Sequence, residues 1–202
     1  SDLSDSLTGS IKAIAGIRLI TNGKDSSFQD VSINVIKNAY TVGSAVKGAS
    51  MAVGYKNGII DIGTNITDGC VKLANMPAKC SYKRLGRLND VEALALSSNY
   101  YQFIIALGIM GYNYTYNMEA EASMEHFNLY RNTFAEFGLG AKTGIDLPNE
   151  SSGLKGETVA PDLLMNLAIG QYDLYTPVEL LQYINTIASS GTRRTLSLMH
   201  SV

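Results

Sequence analysis

Ser44 and Lys47 lie three positions apart in Tyr40-Thr41-Val42-Gly43-Ser44-Ala45-Val46-Lys47. On a helix that spacing brings an amine onto the same face as a hydroxyl. A serine beside a lysine that can lose its proton is an oxygen nucleophile. A helix N-terminus adds backbone N–H groups and positive potential for an oxyanion forming on an attacked carbonyl. The chemistry suggested is acyl transfer. The same spacing recurs at Ser152-Gly153-Leu154-Lys155, so the pair needs support from elsewhere in the chain.

The elements that must position these groups can be read from the periodicity. Residues from Ser44 to about Tyr55 (Val46, Ala49, Met51, Ala52, Val53) form a predicted buried helix in which Lys47 is the polar intruder. Burial would push its amine toward the neutral form. Asn89-Asp90-Val91-Glu92 has the spacing of a capping box and opens a short helix through Leu96. Ser97-Ser98-Asn99 interrupts it, and a second apolar helix runs from about Tyr100 to Leu107. Thr176-Pro177-Val178-Glu179 starts another helix that stops at Gly191.

Elsewhere the signals are plainer. Gly9 to Thr21 alternates as a strand, Asn22 to Ser27 is turn chemistry, and Val31 to Ile36 returns as a second strand or leads into the serine loop. Lys56 to Arg87 is loop-rich, with short strands only. Met118 to Phe137 and Leu163 to Tyr172 read as helices. In the loop Phe137 to Glu150, Gly138, Gly140 and Gly144 call for positive φ or close backbone approach.

Composition narrows the function classes. A chain of 202 residues suits one large domain, and a net charge of −2 with 17% charged residues offers no basic field for nucleic acid. No stretch reaches the ~20 apolar residues of a membrane-spanning helix. Cys70 and Cys80 form either a disulfide or two buried thiols. His126 and His200 stand far apart, with no Cys-x-x-Cys, so no metal and no cofactor are expected.

Taken in order, the serine-lysine pair, Ser97-Ser98-Asn99 at a helix joint, Phe-Gly-Leu-Gly with Thr-Gly-Ile-Asp-Leu-Pro-Asn-Glu, and Ala168-Ile169-Gly170-Gln171 with Thr176-Pro177 resemble the transpeptidase domain of penicillin-binding proteins. Ile-Ala-Leu-Gly-Ile-Met-Gly-Tyr and Asn-Asp-Val-Glu-Ala-Leu-Ala-Leu-Ser-Ser-Asn look most like the class B, elongation-type enzymes of Gram-positive bacteria. The resemblance implies an α+β, helix-dominated fold of the penicillin-binding-protein and serine β-lactamase type over residues 1–202, with a partial antiparallel sheet and a bare strand edge. It implies that Ser44 is acylated, Lys47 is its general base and Ser97 relays a proton. Asn99 would orient the peptide and steady Lys47, with Ser98 and Gly43 at the substrate.

The implied activity is a peptidoglycan D,D-transpeptidase, with D-Ala-D-Ala stem peptides and β-lactams as acyl donors. The implied partners are the cell-wall machinery, including a membrane glycosyltransferase, at the outer face of the bacterial cytoplasmic membrane. The alternatives are a non-catalytic fragment or scaffold, or a serine β-lactamase or D,D-carboxypeptidase. Two departures stand out: Val42 occupies a position where proline is usual, and the family's third motif, Lys-Thr/Ser-Gly on a strand, is not where the pattern puts it. Lys142-Thr143-Gly144 spells that motif inside the distal loop. The family pattern continues past Val202 into further strands and is anchored by a segment outside this chain, so a fragment is expected.

Overall fold

The computed structural model describes residues 2–199; His200 lies outside them. The chain divides into two compact units, each assembled from segments distant in sequence. One comprises the segment up to Tyr40, Phe134–Lys155 and the chain from Leu174 onward, and the other comprises Thr41–Thr133 and Gly156–Asp173. Among the described residues no helix is long and apolar enough to cross a membrane.

The first unit holds two antiparallel strand pairs, β1 (Asp2–Ser4) with β2 (Ile11–Ile14), and β3 (Ile17–Asn22) with β4 (Asp25–Asp30). It also holds the short helix α1 (Asn34–Lys37) and, late in the chain, the helix Pro177–Ala188. Its core gathers Ile11, Val35, Ile36, Ile145, Val178 and Leu196. The single strand expected over Gly9 to Thr21 is broken in two at Gly16, where a Cβ would stand 2.9 Å from the Val31 carbonyl oxygen. The returning strand is β4, not Val31–Ile36, which turns into α1 instead. Both strands of the β3/β4 hairpin are exposed throughout. With neither face buried, Asp-Ser-Ser-Phe-Gln-Asp had no need to alternate, and its polarity read as turn.

The second unit carries the chemistry. A 3₁₀ turn at Gly43–Val46 leads into α2 (Lys47–Lys56), followed by the short strands β5 (Ile66–Thr67), β6 (Cys70–Val71), β7 (Lys79–Cys80) and β8 (Arg87–Leu88). β5 pairs with β8 and β6 with β7, both antiparallel, and Cys70 and Cys80 are joined in a disulfide across the second pair. Helices α3 (Asp90–Ala95), α4 (Asn99–Ile109), α5 (Met124–Phe137, as far as Thr133) and α6 (Pro161–Ala168) complete it. The helix Pro177–Ala188 of the first unit is α7.

Helix α2 packs against α4, and α4 against α6. Val46, Ala49, Val53, Ile105, Ala106, Leu107, Leu164 and Leu167 are fully buried, each larger side chain contributing about 1.5 to 3 kcal/mol. Gly54 permits close approach, since a Cβ there would lie 3.2 Å from Ile105. The Ser50 hydroxyl donates to the Ala168 carbonyl at 2.7 Å and ties α2 to α6.

Two helix starts differ from expectation. Residues 118–123 are not helical. Asn117 N donates to the Lys72 carbonyl and Ala74 N to the Met118 carbonyl, both at 2.8 Å, so pairing with residues 72–74 overrides the helix propensity of Glu119 to Ala122. Helix α6 begins at Pro161, a first-position proline whose fixed φ suits a helix start.

Candidate functional site

Gly43 enters the 3₁₀ turn at φ +57°, with open space where its Cβ would be. Its N–H donates to the Gly170 carbonyl at 2.9 Å. Gly170, at φ +73°, lies so near that a Cβ on it would fall 2.1 Å from the Gly43 carbonyl oxygen. The Ile169-Gly170-Gln171 segment after α6 therefore sets the height of the serine loop. Ser44 is exposed on that turn, and its carbonyl accepts the Lys47 N–H.

Lys47 is 2% exposed at the first position of α2. Its ammonium donates to the Ser97 carbonyl at 2.8 Å, to Ser97 Oγ at 3.0 Å and to Asn99 Oδ1 at 2.6 Å. Those are all the donors an ammonium has. Burial in this pocket pushes its pKa down to about 8. No hydrogen bond joins the amine to the Ser44 hydroxyl. Only after losing a proton does the amine have a lone pair to offer it.

The triplet sits where α3 stops and α4 starts. Ser97 N donates to the Leu94 carbonyl at 3.1 Å and Ser98 N to the Ala93 carbonyl at 2.9 Å, the paired bonds of a Schellman ending. The left-handed residue of that motif is usually glycine; here it is Ser97 at φ +54°. A side chain there costs about 1 to 2 kcal/mol. Lysine 47 binds both the carbonyl and the hydroxyl of this residue, which helps hold the strained turn and aims the hydroxyl at the amine.

Asn99 is the first residue of α4, and its Oδ1 on Lys47 is matched by a long 3.5 Å contact from Nδ2 to the Cys80 carbonyl. That second contact fixes which end of the amide faces the amine. Ser98 behaves differently from the expectation that it meets substrate. It is fully buried, accepts Tyr101 N as the N-cap of α4 and donates to Asp68 Oδ2 at 2.7 Å. It has no surface to present.

The structure thus brings Lys47, Ser97 and Asn99 together, with Ser44 and Gly43 on the turn before α2. Lys142-Thr143-Gly144 is a braced loop, with the Thr143 N–H and hydroxyl both donating to Glu150 Oε1 at 2.7 and 2.6 Å. Gly170 was legible as a motif residue but not as a support for Gly43; a glycine in each of two separate motifs was the available signal.

A family model described as the penicillin binding protein transpeptidase domain matches residues 3–202. The chain is 36% identical over 199 residues to penicillin-binding protein 2A of Bacillus subtilis strain 168, covering 98% of this chain and 28% of that protein. It is 40% identical over 191 residues to penicillin-binding protein H of the same organism, covering 94% of this chain and 27% of that protein. The solved structure of penicillin-binding protein 2B from Streptococcus pneumoniae strain 5204 superposes with a TM-score of 0.88 at 35% identity, covering 95% of this chain and 32% of that one. The chain therefore spans a little over a quarter of the length of these curated relatives.

Proposed function

The chain belongs to the penicillin-binding protein transpeptidase family, and from that premise we propose that it carries the acylating centre of a peptidoglycan D,D-transpeptidase. The observation that supports this most is Lys47. With a pKa of about 8, about a tenth of the amine is neutral at pH 7, against well under a thousandth for an ordinary lysine. It sits one helical step from an exposed serine.

In the proposed reaction, neutral Lys47 takes the proton of Ser44 as Oγ bonds to the carbonyl carbon of the penultimate D-alanine in a stem peptide. The proton passes through the Ser97 hydroxyl to the departing amine as the peptide C–N bond breaks, and D-alanine leaves. An amine on a neighbouring strand then attacks the ester. Lys47 takes its proton, returns it to Ser44 and frees the crosslinked product. Asn99 carries no charge, so it orients a peptide without disturbing the balance at Lys47. A β-lactam enters the same first step, its ring C–N bond breaking and its nitrogen receiving the proton. The natural partners in this reading are stem peptides and a membrane glycosyltransferase that supplies the glycan strands, at the outer face of the cytoplasmic membrane.

The rival reading is a non-catalytic scaffold or binding module. Thiol release from a stem-peptide thioester analogue, with and without an amine acceptor, separates the two. Transfer to the amine by the parent and none by Ser44→Ala supports the proposal; parent and variant both silent supports the scaffold. Release as free acid in preference to transfer indicates a carboxypeptidase.

A further inference from the structure

Three backbone N–H groups open α4, and two serine hydroxyls take all of them. Ser81 Oγ accepts from Asn99 N and Tyr100 N, each at 3.1 Å, while Ser98 Oγ accepts from Tyr101 N at 3.1 Å. Both hydroxyls donate to one oxygen, Asp68 Oδ2, each at 2.7 Å. Ser98 alone satisfies the ordinary capping requirement of a helix. The additional bonds fall on Asn99 and Tyr100, donors that most helices leave to water.

Resting on the reading of Ser44 and Lys47 as the acylating pair, we propose that Asp68 and Ser81 are positioning residues that lock the first turn of α4 so that Asn99 Oδ1 stays on the Lys47 amine. A hydroxyl that donates to a carboxylate is a stronger acceptor, and the carboxylate lies at the positive end of the helix. Both anchors are themselves held. Ser81 follows Cys80, whose disulfide to Cys70 closes the β6/β7 pair, and Asp68 N donates to the Gly86 carbonyl at 2.8 Å. Asn99 is thus gripped through its backbone by Ser81 while its side chain grips the base. A loosened first turn would let the amide swing away and water reach Lys47. Neither Asp68 nor Ser81 would touch the reacting atoms.

The test compares Ser81→Ala, Ser81→Thr and Asp68→Asn with the parent, using fluorescent penicillin over a range of concentrations to separate the first-order acylation step from the binding constant. Ser81→Ala is expected to slow acylation about 10-fold with little change in binding, and Ser81→Thr, which keeps the hydroxyl, to recover most of the loss. Asp68→Asn keeps one oxygen acceptor and should fall between them. The midpoint of the pH–rate curve should move upward in Ser81→Ala as Lys47 is rehydrated. An unchanged acylation step in a folded Ser81→Ala overturns the proposal, as do equal losses in the alanine and threonine variants that follow thermal stability. Should the parent take no penicillin, the Ser44 reading fails. The titration of carbon-13-labelled Lys47 by NMR then still decides this point: an upward midpoint in Ser81→Ala supports the lock, and an unmoved one refutes it.

Discussion

Gly170→Ala is the substitution whose outcome follows most directly from the geometry. Gly43 and Gly170 both adopt positive φ, at +57° and +73°, so an alanine at either costs about 1 to 2 kcal/mol of backbone strain. There the likeness ends. A Cβ on Gly43 meets nothing within 4 Å, whereas one on Gly170 would stand 2.1 Å from the Gly43 carbonyl oxygen. Real contacts of that kind begin near 3.0 Å, so the serine turn must retreat by roughly 1 Å, a displacement that can cost about 100-fold in rate. The collision adds about 1 to 3 kcal/mol of overpacking. In thermal melts, at about 3 °C per kcal/mol for a chain of this size, Gly43→Ala should lose about 3 to 6 °C and Gly170→Ala clearly more. Fluorescent-penicillin time courses should show the larger rate loss in Gly170→Ala. A folded Gly170→Ala that acylates within threefold of the parent, or equal melting points for the two variants, would refute the claim that this contact sets the height of the serine loop.

Three further outcomes are expected. Because Lys47 is depressed to about 8 in the folded chain from 10.5, the unfolded state binds more protons between those values and stability rises with pH. Its contribution should grow by about 1.4 kcal/mol from pH 7 to 9, read as a urea-midpoint shift present in the parent and missing in Lys47→Met. The acylation rate should also climb to a plateau near pH 9. Reducing the Cys70–Cys80 bond, which spans a separation of 10 residues, should cost up to about 3 kcal/mol and slow acylation, measured by melting and labelling with and without a phosphine reductant. Asp173→Asn strands the buried Arg131 guanidinium, which sits 2.8 Å from Asp173 and also donates to the Gly156 carbonyl at 2.7 Å. The loss should be about 3 to 5 kcal/mol in urea unfolding.

What the sequence disclosed depended on whether a feature was local. Asn89 with Glu92 and Thr176 with Glu179 form the two capping boxes their spacing announced. The three loop glycines at 138, 140 and 144 all adopt positive φ. The joint carrying Ser97-Ser98-Asn99 lies between two helices, as the interrupted apolar pattern indicated. Features made by distant segments were less accessible. The pairing of residues 72–74 with 117–118 delays α5, and nothing in Glu119 to Ala122 signals it. Asp68 and Ser81 both lie in the loop-rich stretch from Lys56 to Arg87, where nothing in the sequence singles them out. Ser98 looked equivalent to its neighbours in the triplet, yet a half-turn of backbone sends its hydroxyl inward to Asp68. The cysteine pairing, left open by spacing alone, is settled by the β6/β7 register that places Cys70 opposite Cys80.

Intact-mass spectrometry followed by peptide mapping after β-lactam exposure addresses the acylating pair most directly. A stoichiometric, long-lived adduct on the peptide containing Ser44, absent from Ser44→Ala and strongly slowed in a folded Lys47→Met, is the predicted result. An adduct on Ser152 or another residue, or a Lys47→Met variant that acylates at the parent rate, would contradict it.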